Sequence, residues 1–238
     1  MELLNARAGL VHGDVILARS QVRGRGQGSN RWHASPGQNL TLSVVLEPDH
    51  LPVARLFALT QLTGLAVART VAHFLPDDLA ATVRVKWPND VYVGDRKIAG
   101  VLVQNSLRGS VVHWSVLGIG LNVNESAFPA ELRGSATALL SHTHGTRDLA
   151  TVQNVLFQHL SDLYPLTLSD ALPELDRLYH QLLYRKNVPT LFASTAGGPA
   201  FRGRIRGVTT AGQLRVALAT GEVEVFALRE IRLVGDPT

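Results

Sequence analysis

Val83-Arg84-Val85-Lys86-Trp87-Pro88-Asn89-Asp90-Val91-Tyr92-Val93-Gly94-Asp95-Arg96-Lys97-Ile98-Ala99-Gly100-Val101-Leu102-Val103 decides the class of fold. Residues 83–87 and 91–93 are rich in β-branched and aromatic side chains and read as strands. Gly94-Asp95 is a turn, and the chain returns as a strand from Lys97. Pro88 forces extended geometry on Trp87 and fixes a corner between the first two strands. The stretch is therefore an antiparallel hairpin, not a strand feeding a crossover helix.

Outward from the hairpin the same alternation continues. Val15-Ile16-Leu17-Ala18 reads as a short buried strand, and residues 39–46 alternate Leu40, Leu42, Val44 and Leu46 with polar or small residues. Asp49 and Pro52 mark a helix start. Leu56, Leu59, Thr63, Val67, Val71 and Phe74 keep one helical face apolar until Pro76-Asp77-Asp78 ends it. Residues 111–122 form another strand, ending in Gly118-Ile119-Gly120. Two amphipathic helices follow, over about 148–164 and 169–185. From Phe201 the chain holds four short strands, 201–208, 213–218, 223–227 and 231–233, with Ala193 to Pro199 as a loop. This spacing suggests a small antiparallel barrel or curled sheet. Hairpin strands with helices on one side predict an α+β fold with a mixed or antiparallel sheet. The composition changes near Lys186, so the expected domains are 1–186 and 187–238.

The 238 residues are 45% apolar and 18% charged, enough to bury a core and too apolar for a disordered chain. The absence of cysteine excludes disulfide scaffolds, thiolate zinc sites and cysteine nucleophiles. No apolar run reaches the ~18 residues of a membrane span. The start, Met1-Glu2-Leu3-Leu4-Asn5, lacks the pattern of a secretion signal, so a cytoplasmic location is expected. Net charge is +4 and suits an anionic partner. Lysine is scarce, at positions 86, 97 and 186 alone, and two of the three lie in the hairpin. His142 and His144 lie close together, but no third ligand is spaced to join them as a metal site, and a loop position is expected.

Three segments carry chemistry. Gly24-Arg25-Gly26-Gln27-Gly28-Ser29-Asn30-Arg31-Trp32 is a glycine loop whose backbone N–H groups can hold an anion. Its Arg25 can grip phosphate or carboxylate with two hydrogen bonds, and Trp32 offers an aromatic face for a purine. A solvated or nucleic-acid-binding loop would look similar. In the hairpin, Asn89 and Asp90 at a strand end can bind ribose hydroxyls, amines or a metal. Lys97, expected on the same face as Ala99, can meet a phosphate and a carboxylate together. A polar hairpin with a solvated lysine is the plainer reading. Gly118-Ile119-Gly120-Leu121-Asn122 lacks the following helix of a dinucleotide fingerprint and reads as a glycine bend in a sheet.

Taken together and in order, these segments resemble biotin–protein ligases, which are also the biotin–[acetyl-CoA-carboxylase] ligases. The residues that carry the resemblance are Gln21, Gly24-Arg25-Gly26, Trp32, Ser35-Pro36-Gly37, Asn39-Leu40, Ser43, the Lys86-Trp87-Pro88-Asn89-Asp90 block, Lys97 with Gly100, and Gly118-Ile119-Gly120-Leu121-Asn122. The resemblance covers nearly the whole chain and implies an SH3-like barrel at the C-terminus. It implies that biotin attacks the α-phosphate of MgATP to give biotinyl-5′-AMP and pyrophosphate. A lysine of a biotin carboxyl carrier protein then takes the biotin. Lys97 and Arg25 would be the catalytic cations. Gln21, Gly24, Arg25, Gly26, Gln27, Lys97 and Gly100 would bind biotin. Trp32, Asn89, Asp90, Lys97 and Asn122 would serve the nucleotide, with the metal ligands left open. The implied cofactors are ATP and Mg2+, with biotin as substrate, and a homodimer through the central sheet occurs in relatives.

Two departures stand out. The family's loop reads Gly-Arg-Gly-Arg-Arg-Gly, whereas Gln27, Gly28 and Ser29 stand at its last three positions. The family's Ser-Thr-Asn strand is also missing, because Met1 to Asn5 begin where it should end. No helix-turn-helix segment precedes the domain, so the single-function form without a DNA partner is expected. A lipoate–protein ligase is the nearest alternative enzyme, and the Lys-Trp-Pro-Asn-Asp block and Gly-Arg-Gly loop argue against it. A nucleic-acid-binding module is the alternative from another class. Aromatics at 6% and scattered cations argue against that one.

Overall fold

The computed structural model describes residues 9–28, 31–109 and 111–234. Met1 to Asn5 and the loop residues Ser29 and Asn30 lie outside them. Among the described residues eleven strands form two sheets. The first contains β1 (Val15–Leu17), β2 (Leu40–Leu46), β3 (Val83–Lys86), β4 (Asp90–Val93), β5 (Arg96–Arg108) and β6 (Val111–Leu121), in the order β1-β2-β6-β5-β4-β3. Every pairing in it is antiparallel. The second contains β7 (Pro189–Ser194), β8 (Phe201–Val208), β9 (Leu214–Leu218), β10 (Val223–Phe226) and β11 (Ile231–Leu233), in the order β10-β9-β8-β7-β11. The expected α+β class and the C-terminal β unit are both present.

Helix α1 (Phe57–Phe74) runs across one face of the first sheet. It is buried on nearly every side, not on one face as its periodicity suggested, because the sheet and two later helices surround it. Gly64 marks its close approach to β3; a Cβ there would sit 3.3 Å from Val85 Cγ1. The buried Thr63 and Thr70 hydroxyls donate to the carbonyls of Leu59 and Ala66, so neither is left unsatisfied. The helix stops at Phe74 because Leu75, preceding Pro76, is extended. A single helical turn, α2 (Asp77–Ala80), follows.

Helix α3 (Leu149–Leu163) is capped by Asp148, whose carboxylate accepts from the Thr151 N–H at 2.9 Å. Helix α4 (Leu172–Leu182) is shorter at both ends than its expected span. Pro173 sits in its first turn, and Leu183 is already extended. Both helices pack on α1 or its neighbours. Tyr179, Leu175, Leu156 and Leu163 join the core.

The second sheet completes that core instead of forming an independent one. Phe192, Ile205, Leu214, Val216 and Ile231 are continuous with the buried residues of the first sheet. Burial of this apolar surface fixes the two sheets against each other, at roughly 25 cal/mol per Å². Phe192, Phe201 and Phe226 stack in series with centroids 5.5 and 5.7 Å apart.

Two strand readings are corrected. β1 is not buried: it is an edge strand with Val15 and Leu17 exposed, since β2 covers one side only. The second sheet has a further strand, β7, and it takes in Ala193 and Ser194. Those two residues, expected in a loop, pair with β11. Among the described residues no helix is long and apolar enough to cross a membrane.

Candidate active site

A cleft of about 990 Å³ opens between the face of the first sheet opposite its helices and the second sheet. Register explains its floor. Asp90 pairs with Gly100, Gly100 with Gly120, and Gly120 with Thr41, forming one row across four strands. Leu102, Gly118 and Ser43 form the next row. Directly paired residues share a face, so Gly100, Gly118 and Gly120 line up as a strip without side chains. The strand carrying Gly118-Ile119-Gly120 pairs without interruption on both sides of these residues, so the expected glycine bend is corrected to a clearing in a continuous sheet.

Trp32 uses that clearing. A Cβ on Gly120 would overlap the Trp32 indole, and one on Gly100 would lie 3.4 Å from the ring. The indole N–H is buried and has no hydrogen-bond partner among the described residues. The ring belongs to the glycine loop, whose neck is closed by the Trp32 N–H donating to the Gly24 carbonyl at 3.0 Å and by a bridge between Arg25 and Arg31. Gly24 is required there because a Cβ would strike the Trp32 carbonyl.

Lys97 stands at the edge of the strip. Its Nζ lies 2.7 Å from Asp90 Oδ1 and 5.8 Å from the centroid of the Trp32 ring. The expectation that Lys97 shares a face with Ala99 is corrected. A bulge places both Lys97 and Ile98 opposite Tyr92, which shifts the alternation by one residue. Lys97 therefore faces the cleft with Gly100, whose added Cβ would lie 3.4 Å from Lys97 Cε. The backbone of Lys97 is clamped as well: its N–H donates to Ser135 and its carbonyl accepts from Thr137, both at 2.8 Å. Thr137 Oγ1 is 2.8 Å from His142 Nε2. Burial, and secondarily the charge of Arg96, lower the pKa of His142, which keeps it a neutral partner in that clamp.

The corner that carries Asn89 and Asp90 contains a cis peptide at Trp87–Pro88. Asn89 donates its side-chain amide to the Val101 carbonyl, and the Asn89 carbonyl accepts from the Val101 N–H at 2.8 Å. The corner is thereby stapled to β5.

Of the residues singled out from sequence, Gln21, Arg25, Gly26, Gln27, Trp32, Asn89, Asp90, Lys97 and Gly100 line the cleft. Gly24 lies in the loop neck beside it. Asn122 does not line the cleft. It is buried, donating its amide to the carbonyl of Thr137, whose N–H holds the Lys97 carbonyl, at 3.0 Å. Sequence reasoning missed Arg229, in the turn between β10 and β11, and Arg232, on β11, which both line the cleft. The Arg229 guanidinium lies so close to Gly28 that a Cβ there would collide with it. No local signal marks that contact across some 200 residues of chain.

Sequence reasoning also missed Glu125, which holds the stretch from the glycine loop to β2. Its buried carboxylate accepts from the Ser35 N–H (3.0 Å), the Ser35 hydroxyl (2.7 Å) and the Asn39 amide (2.7 Å). Asn39 in turn accepts from the Val123 N–H. Burial alone would raise the pKa of Glu125. The bonds from Ser35 and Asn39, with the nearby His33, outweigh it and hold the pKa below its ordinary value.

Residues 6–122 match the sequence model of the biotin/lipoate A/B protein ligase family. The bifunctional ligase/repressor BirA of Bacillus spizizenii is 32% identical over 160 residues, covering 65% of this chain and 46% of that protein. The biotin–[acetyl-CoA-carboxylase] ligase of Mycobacterium tuberculosis is 35% identical over 130 residues, covering 55% of this chain and 46% of that one. The chain thus spans about half the length of the curated relatives it matches. In fold it is similar to the biotin protein ligase of Aquifex aeolicus solved in complex with biotin and ATP. The TM-score is 0.78 at 23% identity, over 98% of this chain and 93% of that one. Over residues 6–122 the chain is similar in sequence to the biotin/lipoate A/B protein ligase family, and over nearly its whole length it shares the fold of the Aquifex aeolicus biotin protein ligase.

Proposed function

We propose that the chain activates biotin with ATP and transfers it to a lysine of a biotin carboxyl carrier protein, such as that of acetyl-CoA carboxylase. A carboxylate is a poor acyl donor. Its oxygen must first displace pyrophosphate from the α-phosphorus, forming the mixed anhydride biotinyl-5′-AMP. The acceptor amine then attacks the carbonyl carbon, AMP leaves with the bonding electrons, and the amine gives up a proton. Two anions must meet in the first step, so charge neutralisation and positioning are the main demands.

The observation that carries this reading is the glycine-cleared strip with Lys97 at its edge and the Arg25 loop above it. The side-chain-free floor lets the Trp32 indole lie on the backbone, where it can offer its ring to a flat ligand. Asp90 holds the Lys97 ammonium at the edge of that floor before the substrates arrive. There the ammonium can bridge the biotin carboxylate and the α-phosphate. Arg25, and Arg229 from the turn between β10 and β11, are further cations lining the cleft. Gln21, Gly26, Gln27 and Gly100 complete the biotin side, and Trp32, Asn89 and Asp90 the nucleotide side.

Mg2+ needs only one or two carboxylates when phosphates supply its other ligands. Asp90 and Glu131 are the carboxylates of the cleft and fit an ion that enters with ATP. In this reading residues 1–186 are the catalytic domain, residues 187–238 the accessory one, and the cytoplasm, which holds ATP, the compartment. The partners are the carrier protein and a second copy of the chain, with no DNA.

Pyrophosphate exchange into ATP tests the reading. Exchange should appear with biotin and not with lipoate; exchange with lipoate alone would assign the chain to the other branch of that family. Retention of RNA or DNA on filters at low salt would favour the nucleic-acid reading. The loop adds a prediction. Gln27 stands where the family's pattern has arginine, so the intermediate is held less tightly. Gln27→Arg should slow release of biotinyl-5′-AMP by about tenfold, the scale of one charge-assisted hydrogen bond. Equal release rates in the two proteins would remove the idea.

A further inference from the structure

The Asn89–Asp90 corner is held by a ring of contacts that passes through the second sheet. The Trp87 indole N–H donates to the Gly212 carbonyl at 2.8 Å, in the turn between β8 and β9. That turn is closed by its own bonds, from Gly212 N–H to Thr209 and from Thr209 N–H to Gln213. Gly212 has φ of +87°, and a Cβ there would collide with the Phe57 ring at the start of α1. Phe57 meets the Tyr179 ring edge-on with centroids 5.6 Å apart. Tyr179, fully buried on α4, donates its hydroxyl to the Pro88 carbonyl at 3.2 Å. The next residue, His180, returns to the second sheet: its Nε2 accepts from the Val208 N–H at 2.9 Å.

We propose that the β8–β9 turn is a positioning element for nucleotide binding, with Gly212 and Trp87 as its positioning residues. The inference rests on the functional reading above and deepens it. Trp87 and Pro88 are each tied to a different wall, one to the turn and one to α4. Asn89 and Asp90 follow directly, so their place in the cleft depends on both ties. Gly212 is the one residue type that satisfies the turn, because its backbone is left-handed and its α-carbon abuts Phe57. Of the biotin-side residues, Arg25 and Gly26 lie on the glycine loop and Gln21 just before it, outside this ring of contacts.

The test uses the full chain and two substitutions. Trp87→Phe keeps an aromatic ring and removes the donor. Gly212→Ala keeps the carbonyl and pushes the turn off Phe57. ATP and biotin are titrated separately into each protein by calorimetry, and the KM for ATP is measured in biotin-dependent exchange. The expected result is ATP affinity lower by about tenfold in both variants, the scale of one lost hydrogen bond, with biotin affinity within about twofold of native. General loosening would move both ligands together, and that outcome overturns the proposal. So does unchanged ATP affinity in variants that fold. A native chain that binds no ATP overturns the functional reading and this inference with it.

Discussion

Lys97→Ala should lower biotin-dependent ATP–pyrophosphate exchange by at least about 100-fold, the scale of losing one preorganised electrostatic stabiliser. The Lys97 ammonium faces the glycine strip, and its backbone is bonded on both sides to Ser135 and Thr137. Its position is therefore set before substrate arrives, and no reorganisation is needed when negative charge gathers at the anhydride junction. Removing it leaves two anions to approach without their bridging cation. It also leaves the Asp90 carboxylate unpaired beside incoming phosphates. Lys97→Arg tests geometry separately from charge, since a planar guanidinium cannot occupy the place of a compact ammonium. Exchange that survives Lys97→Ala would reject the role given to this residue.

Glu125→Ala should destabilise the fold by about 3 kcal/mol at neutral pH. The substitution leaves the Ser35 N–H and hydroxyl and the Asn39 amide without their acceptor. These groups connect the glycine loop to β2, so the loss falls on the segment that sets the loop. The pH dependence has a definite sign. The folded pKa of Glu125 lies below the ordinary 4.5, so its contribution is complete above that value. It is lost as the pH falls through the folded pKa, where the protonated acid accepts fewer hydrogen bonds. Urea unfolding of native protein and Glu125→Ala should show the full difference at pH 7 and a shrinking one in acid. A difference that stays constant down to low pH would mean that the carboxylate is not the source.

The hairpin was readable because its information is local. Pro88, the Gly94-Asp95 turn and the β-branched runs act within a few residues of themselves. The position of Lys97 was legible, but its face was not. A single extra residue opposite Tyr92 reverses the alternation on which the face was judged, and nothing near Lys97-Ile98 announces a bulge. The glycines at 118 and 120 were visible as a motif. Their purpose appears only when register sets them beside Gly100. Asn122 follows the end of β6, where alternation no longer sets the face of a side chain, and its burial against Thr137 shows only in the fold.

Arg229, Glu125 and the Gly212 carbonyl each act on residues far away in sequence. No periodicity carries such contacts; those of Arg229 and Gly212 exist because the second sheet packs into the same core as the first, and Glu125 meets Ser35 and Asn39 because β6 pairs with β2. β7 was missed for a related reason. It opens on Pro189 and ends in the small residues Ala193 and Ser194, so its extent is set by pairing with β8 and β11.

A crystal structure of the chain grown with biotinyl-5′-AMP tests the central claim most directly. The account predicts Lys97 Nζ and the Arg25 guanidinium within about 3.2 Å of oxygens on either side of the carboxyl–phosphate junction, with the adenylate packed against the Trp32 ring that covers Gly100 and Gly120. An adenylate bound elsewhere, or bound in the cleft with both cations turned to bulk water, would contradict it.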